Sequence, residues 1–445
     1  MENQNQMGYK PIFPLLTKMA IPPMLSMLIQ SLYNIVDSIF VAKLGEEALT
    51  AVSLIFPLQN LSLAFSVGIG VALNAFIARY LGENDQEKAS YVATQGLMMS
   101  FLHSLIFVVI GLFFIKPFLL MFTSQKDVIY YGMQYGTIVI TLTFGSFIHI
   151  AIEKMFQATG NMIIPMIMQI VGAVINIVLD PILIFGYFNL PALGVTGAAL
   201  ATIIGQMSAA ILSIVLLKKC NHSIHISLRK YRIDQDMYKK LYSIAIPSGL
   251  MMCLPSVLVS LLNGLLSTVS QTAVAFFGIY FKLQTFVYMP ANGIVQGMRP
   301  LMSYNFGAKK HDRMHETLKV SGLCIAFILG LGTLLFLIFP QTLLSMFEAN
   351  AHMLEIGLIG LPILALSFIF SSFAILMAGV FESLGYGKYS LIISLLRQFI
   401  ITIPLSFVLL PIFGLNGIWL TFPIAEMISS LYSYYMYCRH FKTIL

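Results

Sequence analysis

Asp37 and Asp180 are carboxylates set inside long apolar stretches of a 445-residue chain. Asp37 stands 3, 4 and 7 residues after Asn34, Tyr33 and Gln30, and Asp180 stands 4 and 11 after Asn176 and Gln169, spacings that return to one face of an α-helix. With the hydroxyl of Thr202 these groups offer carboxylate, amide, phenol and hydroxyl oxygens. That is the donor set of a proton or of a hard monovalent cation such as Na⁺. Pro181 directly follows Asp180, and its ring would displace the carbonyl of Ile177, freeing an oxygen or making a hinge at the site.

A charge inside hydrocarbon costs at least about 2.5–3.5 kcal/mol, so every ionisable residue in an apolar run is a candidate functional group. A second set is Lys282, Arg397 and Glu426. Arg397 and Glu426 are expected to pair, or together with Lys282 to touch a substrate or a gate, as are the polar Gln30, Asn34, Gln169 and Gln206. Arg299 is expected to snorkel from a helix end, and Glu153 and Glu382 to meet water at helix ends.

The elements that must position these groups are membrane helices. Hydrophobic residues make up 58% of the chain and charged residues 10%, too few for a water-facing surface. Twelve apolar runs, from 19–42 to 414–437, are each long enough to cross a core of about 30 Å as a helix. The second and eighth, 48–78 and 274–304, contain Pro57 and Pro290 and are expected to bend or tilt. Of the 25 Lys and Arg residues, 19 fall on one set of loops and three on the other, which places both termini in the cytoplasm. The same distribution makes the net charge of +7 a topology signal, and nucleic acid is not expected as a partner. Asp37 lies about five residues and Asp180 about six from the outer ends of their runs, roughly 8–9 Å deep at about 1.5 Å per residue.

A basic segment at 218–240 separates residues 1–217 from 241–445, six runs on each side. Shifting the second half back by 225 positions aligns Ala20-Ile21-Pro22 with Ala245-Ile246-Pro247, Gly68-Ile69 with Gly293-Ile294, and Gly160 with Gly385. Near the end the offset is 220, where Gly194 and Gly197 meet Gly414 and Gly417. Such a repeat predicts an all-α membrane protein of twelve transmembrane helices, in two six-helix bundles related by a pseudo-two-fold axis along the membrane normal. At the 225 offset Asp37 corresponds to Leu262 and Asp180 to Leu405, and at the 220 offset Gln206 corresponds to Glu426. Both carboxylates therefore belong to the first copy alone, which argues against a role in packing the shared bundle.

The stretches NIVDSIFVAKLG (34–45), FQATGN (156–161), NIVLDPILIFG (176–186), GVTGAALAT (194–202) and GMRPLMSYNFG (297–307) resemble those of the multidrug and toxic compound extrusion (MATE) family. The likeness covers essentially the whole chain. It implies an inner-membrane antiporter that expels organic, often cationic, drugs in exchange for inward H⁺ or Na⁺. It further implies a cation site on Asp37, Asn176 and Asp180, with Tyr33 and Thr202 as additions. Run 241–264 has no acid, which matches the family branch that relies on its N-terminal bundle.

Other classes fit less well. Neither HExxH nor GxSxG occurs, and no Walker sequence is present, so an enzyme and an ATP-driven pump are not expected. A lipid-linked saccharide or lipid flippase of the same superfamily would call for more intramembrane cations. No cofactor is expected beyond the coupling ion, and the partners implied are small-molecule drugs and the bilayer around a monomer.

Overall fold

The computed structural model describes residues 5–220, 223–227, 231–347 and 350–442, and among these the regular structure is helical throughout. The first copy holds α1 (Ile12–Ala42), α2 (Glu46–Gly82), α3 (Gln86–Phe113), α4 (Ile115–Leu120), α5 (Lys126–Thr141), α6 (Phe144–Ala158), α7 (Ile163–Phe185) and α8 (Val195–Cys220). The second holds α9 (Gln235–Ser267), α10 (Gln271–Gly307), α11 (His311–Ile338), α12 (Pro340–Ser345), α13 (Ala351–Ser383), α14 (Gly387–Leu395), α15 (Thr402–Phe413) and α16 (Leu415–Met436). A π turn, Leu396–Ile400, joins α14 to α15. Each of the twelve apolar runs is one helix or one broken pair. Ten are long and apolar enough to cross a membrane by themselves, and α5 with α6 makes an eleventh. The twelfth, α16, has 22 residues and buries much of its length.

Helix ends repeat in the register read from the sequence. The bounds of α2, α3 and α4 reappear in α10, α11 and α12 with an offset of 225 at both ends, and α8 and α16 begin 220 apart. The punctuation repeats too. Asn84 and Lys309 both have positive φ, 58° and 56°, and so do Gly160 and Gly385, 86° and 91°. A left-handed residue ends a helix by turning its last carbonyls toward new donors. Asp85, capping α3 by accepting from Lys88 N at 2.9 Å, ties down the next helix start.

The copies differ where the fourth run of the first copy breaks. α5 and α6 meet at 41° across Leu142 and Thr143, and Thr143 Oγ1 lies 2.8 Å from Ser62 Oγ in a buried pair. The corresponding α13 is one continuous helix. α2 and α10 run unbroken through Pro57 and Pro290, so the break in this chain sits at a position without proline.

The chain forms two compact units, Leu25–Gly249 and Met1–Met24 with Leu250–Leu445. The divisions after Met24 and Gly249 are again 225 apart. Within the first unit α2 touches the start of α9 so closely that a Cβ on Gly68 would lie 2.3 Å from the Ala245 carbonyl oxygen. Within the second, a Cβ on Gly293 of α10 would lie 2.2 Å from Met24 Cγ at the matching place on α1. Small residues let backbones approach in a membrane, where packing rather than hydrophobicity drives helix association. A third correspondence is complementary: Gly70 of α2 makes room for Lys154 of α6, whereas at the equivalent positions Val295 of α10 fills the space left by Gly379 of α13.

Candidate functional site

α7 and α8 cross in close contact. A Cβ on Gly205 would stand 2.7 Å from the Gly172 carbonyl oxygen, and this approach sets Asn176 of α7 beside Thr202 of α8. Asn176 Nδ2 faces two acceptors, Asp180 Oδ1 at 3.5 Å and Thr202 Oγ1 at 3.4 Å. Asp180 is fully buried, Asn176 and Thr202 nearly so. α7 continues through Pro181 to Phe185, so Asp180 sits on a hydrogen-bonded helix.

Asp37 of α1 is half-buried and within electrostatic reach of Asp180. Tyr33 and Tyr135 feel both carboxylates. The five residues expected to hold a cation, Tyr33, Asp37, Asn176, Asp180 and Thr202, thus share one neighbourhood. Three buried oxygens there, Asp37 Oδ1, Asp180 Oδ2 and Asn176 Oδ1, have no hydrogen-bond partner among the described residues. Leaving a buried acceptor unsatisfied costs about 1–3 kcal/mol, and more for a charged group, so three together mark a place built for something else. A cavity of about 50 Å³ opens against Tyr33, Asn176 and Thr202 and extends past Gln206 and Gln169 to His149.

Of the other expected residues, Gln169 and Gln206 line this cavity, while Gln30 is half-buried outside it and Asn34 is exposed. Two residues in the neighbourhood carried no expectation. Tyr135, 2% exposed, accepts a hydrogen bond from Gln59 Nε2 at 3.4 Å, and His149 ends the cavity. A signal was available for both. At the 225 offset Tyr135 corresponds to Gly360 and His149 to Ala374, so each is polar in one copy only, as Asp37 and Asp180 are.

In the second copy Arg397 and Glu426 pair at 2.6 Å with side chains 16% and 8% exposed. The π turn 396–400 carries Arg397. Lys282 does not join them: it is exposed and makes no ion pair among the described residues. Arg299 departs from expectation by pairing with Glu382, which is 2% exposed rather than solvated. A short helix-end guanidinium path to water loses here to a neighbouring buried carboxylate.

A family model described as MatE matches residues 22–182 and again 247–408. The chain is 29% identical over 418 residues to the multidrug export protein MepA of Staphylococcus haemolyticus, covering 94% of this chain and 91% of that protein. It is 28% identical over 434 residues to the probable multidrug resistance protein YoeA of Bacillus subtilis, covering 95% and 93%. A solved structure described as the outward-facing conformation of a multidrug resistance MATE family transporter of the MOP superfamily superposes with a TM-score of 0.91. That match spans 100% of this chain and 99% of the other at 21% identity, a likeness of fold: twelve helices in two bundles.

Proposed function

Because the chain belongs to the MatE family, whose model matches both of its halves, we propose that it is a multidrug efflux transporter of the plasma membrane. It exports organic, often cationic, compounds by alternating access, in exchange for inward H⁺ or Na⁺, with both termini in the cytoplasm. Relatives described as multidrug export and multidrug resistance proteins, aligned over more than nine-tenths of each chain, support the substrate class.

One observation carries the coupling site: the unpartnered, buried oxygens of Asp37, Asp180 and Asn176. Two carboxylates within reach of one another, neither in an ion pair among the described residues, repel in a low dielectric. A proton or a Na⁺ ion relieves that repulsion, and the site is complete only with it. Asp37 rides on α1 while Asn176 and Asp180 ride on α7, so occupancy couples the position of one helix to the other. In this reading the outward-open site takes the cation, α1 and α7 draw together, and the drug is released outside. The bundles then rock inward, and the cation leaves as a new drug molecule binds. The two species exclude each other, which is all that exchange requires.

Transport of a fluorescent cationic dye by the purified protein in liposomes, with a pH gradient and a Na⁺ gradient applied separately, tests this reading. Dye accumulation driven by one of the two supports it. Accumulation driven by neither, in liposomes that bind the dye, refutes coupling.

A further inference from the structure

A cavity lies beside the carboxylates without being lined by either, and Asn176, whose Nδ2 is 3.5 Å from Asp180 Oδ1, stands on its wall. From Tyr33, Asn176 and Thr202 it passes Gln206 and Gln169 to His149 on α6. At about 50 Å³ it has room for roughly three waters, since one water needs about 10–15 Å³. His149 Nε2 lies 3.4 Å from Gln169 Oε1 and 3.9 Å from Glu153 Oε2. Glu153 presents that oxygen because its other one is held: Oε1 accepts from Lys154 Nζ at 2.9 Å and from Gln157 Nε2 at 2.8 Å. Exposure rises outward along the line, from 8% for the His149 side chain to 17% for Glu153. Glu153 stands near the end of α6 that the Lys and Arg distribution assigns to the cytoplasm.

The groups facing His149 are few. Its own helix supplies Glu153 and Lys154, α7 supplies the neutral Gln169, and α8 supplies Gln206 and the backbone beside Ala209. Among the described residues the charges belong to Glu153 and Lys154. In the second copy His149 and Glu153 correspond to Ala374 and Ala378, so this pair, like Asp37 and Asp180, is absent where the bundle merely repeats. A buried histidine and glutamate needed for packing would serve both copies.

We propose that His149 and Glu153 form a proton relay between the Asp37–Asp180 site and the cytoplasm, with the cavity waters as the link. The inference rests on the coupling site proposed above and names its ion as H⁺. A proton leaving the carboxylates through the cavity waters binds the free nitrogen of the imidazole. The imidazolium gives its Nε2 proton to Glu153 Oε2 after the 3.9 Å gap tightens, as apo hydrogen-bond geometries do. Glu153 releases that proton to cytoplasmic water. The ring is left protonated on Nδ1, and exchange through a cavity water, which takes the Nδ1 proton and returns one to Nε2, restores the first tautomer: one proton in, one out.

The test uses liposomes holding the full-length protein and a pH-sensitive dye inside, with proton flux started by a gradient of ethidium. His149→Gln and Glu153→Gln are expected to slow proton flux about tenfold while ethidium binding stays within twofold. Flux through His149→Ala is expected to recover in part when imidazole is added, a readout that a packing role would not move. Flux within twofold of the parent in His149→Gln, or a slow His149→Ala that imidazole leaves unchanged, overturns the relay. If the His149 variants lose ethidium binding, Glu153→Gln decides, and flux within twofold of the parent overturns it. Asp180→Asn separates the two readings. If it abolishes flux while His149→Gln does not slow it, the coupling site stands and the relay falls; if Asp180→Asn leaves flux intact, the coupling site itself is wrong.

Discussion

Gly205 and Gly172 face each other across α7 and α8 so closely that a Cβ on Gly205 would come within 2.7 Å of the Gly172 carbonyl oxygen and 3.2 Å of Asn176 Cβ. Gly205→Ala must therefore push α8 away from the helix that carries Asn176 and Asp180. Over-packing costs typically about 1–3 kcal/mol. We expect dye efflux to fall at least tenfold and thermal unfolding in detergent to shift down accordingly. Gly330→Ala, where nothing lies within 4 Å of the added carbon, should change neither.

Glu426 and Arg397 make a buried pair, with side chains 8% and 16% exposed. Removing one partner strands the other charge, a loss of about 3–5 kcal/mol. Glu426→Gln should destabilise the protein on that scale. Glu83→Gln, which breaks the exposed Arg79–Glu83 pair with side chains 37% and 34% exposed, should cost less than about 1 kcal/mol. Thermal unfolding of the two variants side by side checks the ratio.

Gly70 and Lys154 interlock where Val295 and Gly379 do in the other copy, and a Cβ on Gly70 would stand 2.6 Å from Lys154 Cγ. Gly70→Val alone should be destabilising. Adding Lys154→Ala, which removes the opposing carbon, should return part of that loss and give a coupling energy of at least about 1 kcal/mol in a double-mutant cycle. Additive losses would contradict the correspondence of the two copies.

Asp234 sits just before α9 and accepts from Met237 N and Asp236 N, each at 3.0 Å, and from Tyr91 OH at 3.0 Å. The Met237 amide, followed by the Tyr91 hydroxyl, holds its carboxyl below the usual carboxylate range despite some desolvation. A lowered folded-state value means that this cap stabilises fully above the ordinary carboxylate value of about 4 and is lost as pH falls through the folded value below it. Amide exchange at Met237 should be pH-insensitive in its protection from neutrality down to that range and accelerate beneath it. In Asp234→Ala the protection should be reduced at every pH, with a loss of about 0.5–2 kcal/mol.

The duplication was legible because glycine and proline landmarks survive where apolar residues drift, and Gly160 and Gly385 hold the same left-handed turn. Asp37 and Asp180 stood out because a carboxylate in an apolar run has few structural reasons to be there. His149 did not: one histidine on an apolar helix face is ordinary, and its meaning came from Glu153 one turn on and Gln169 on another helix, a contact that spacing does not reveal. The break at Leu142 and Thr143 escaped for a related reason. Neither is a helix breaker, and the change of direction accompanies a hydroxyl pair with Ser62, 81 positions away in sequence. The burial of Glu382 against Arg299 was hidden in the same way, since a helix-end carboxylate reads as solvated until its partner helix is placed.

The central claim is that the unpartnered oxygens of Asp37 and Asp180 bind the ion that drives export. Its most direct measurement is gradient-driven dye transport in liposomes by Asp37→Asn and Asp180→Asn, each verified to bind the dye. The account predicts that each substitution abolishes the response to the imposed H⁺ or Na⁺ gradient. Transport that still follows the gradient at the parent rate in both variants would contradict it.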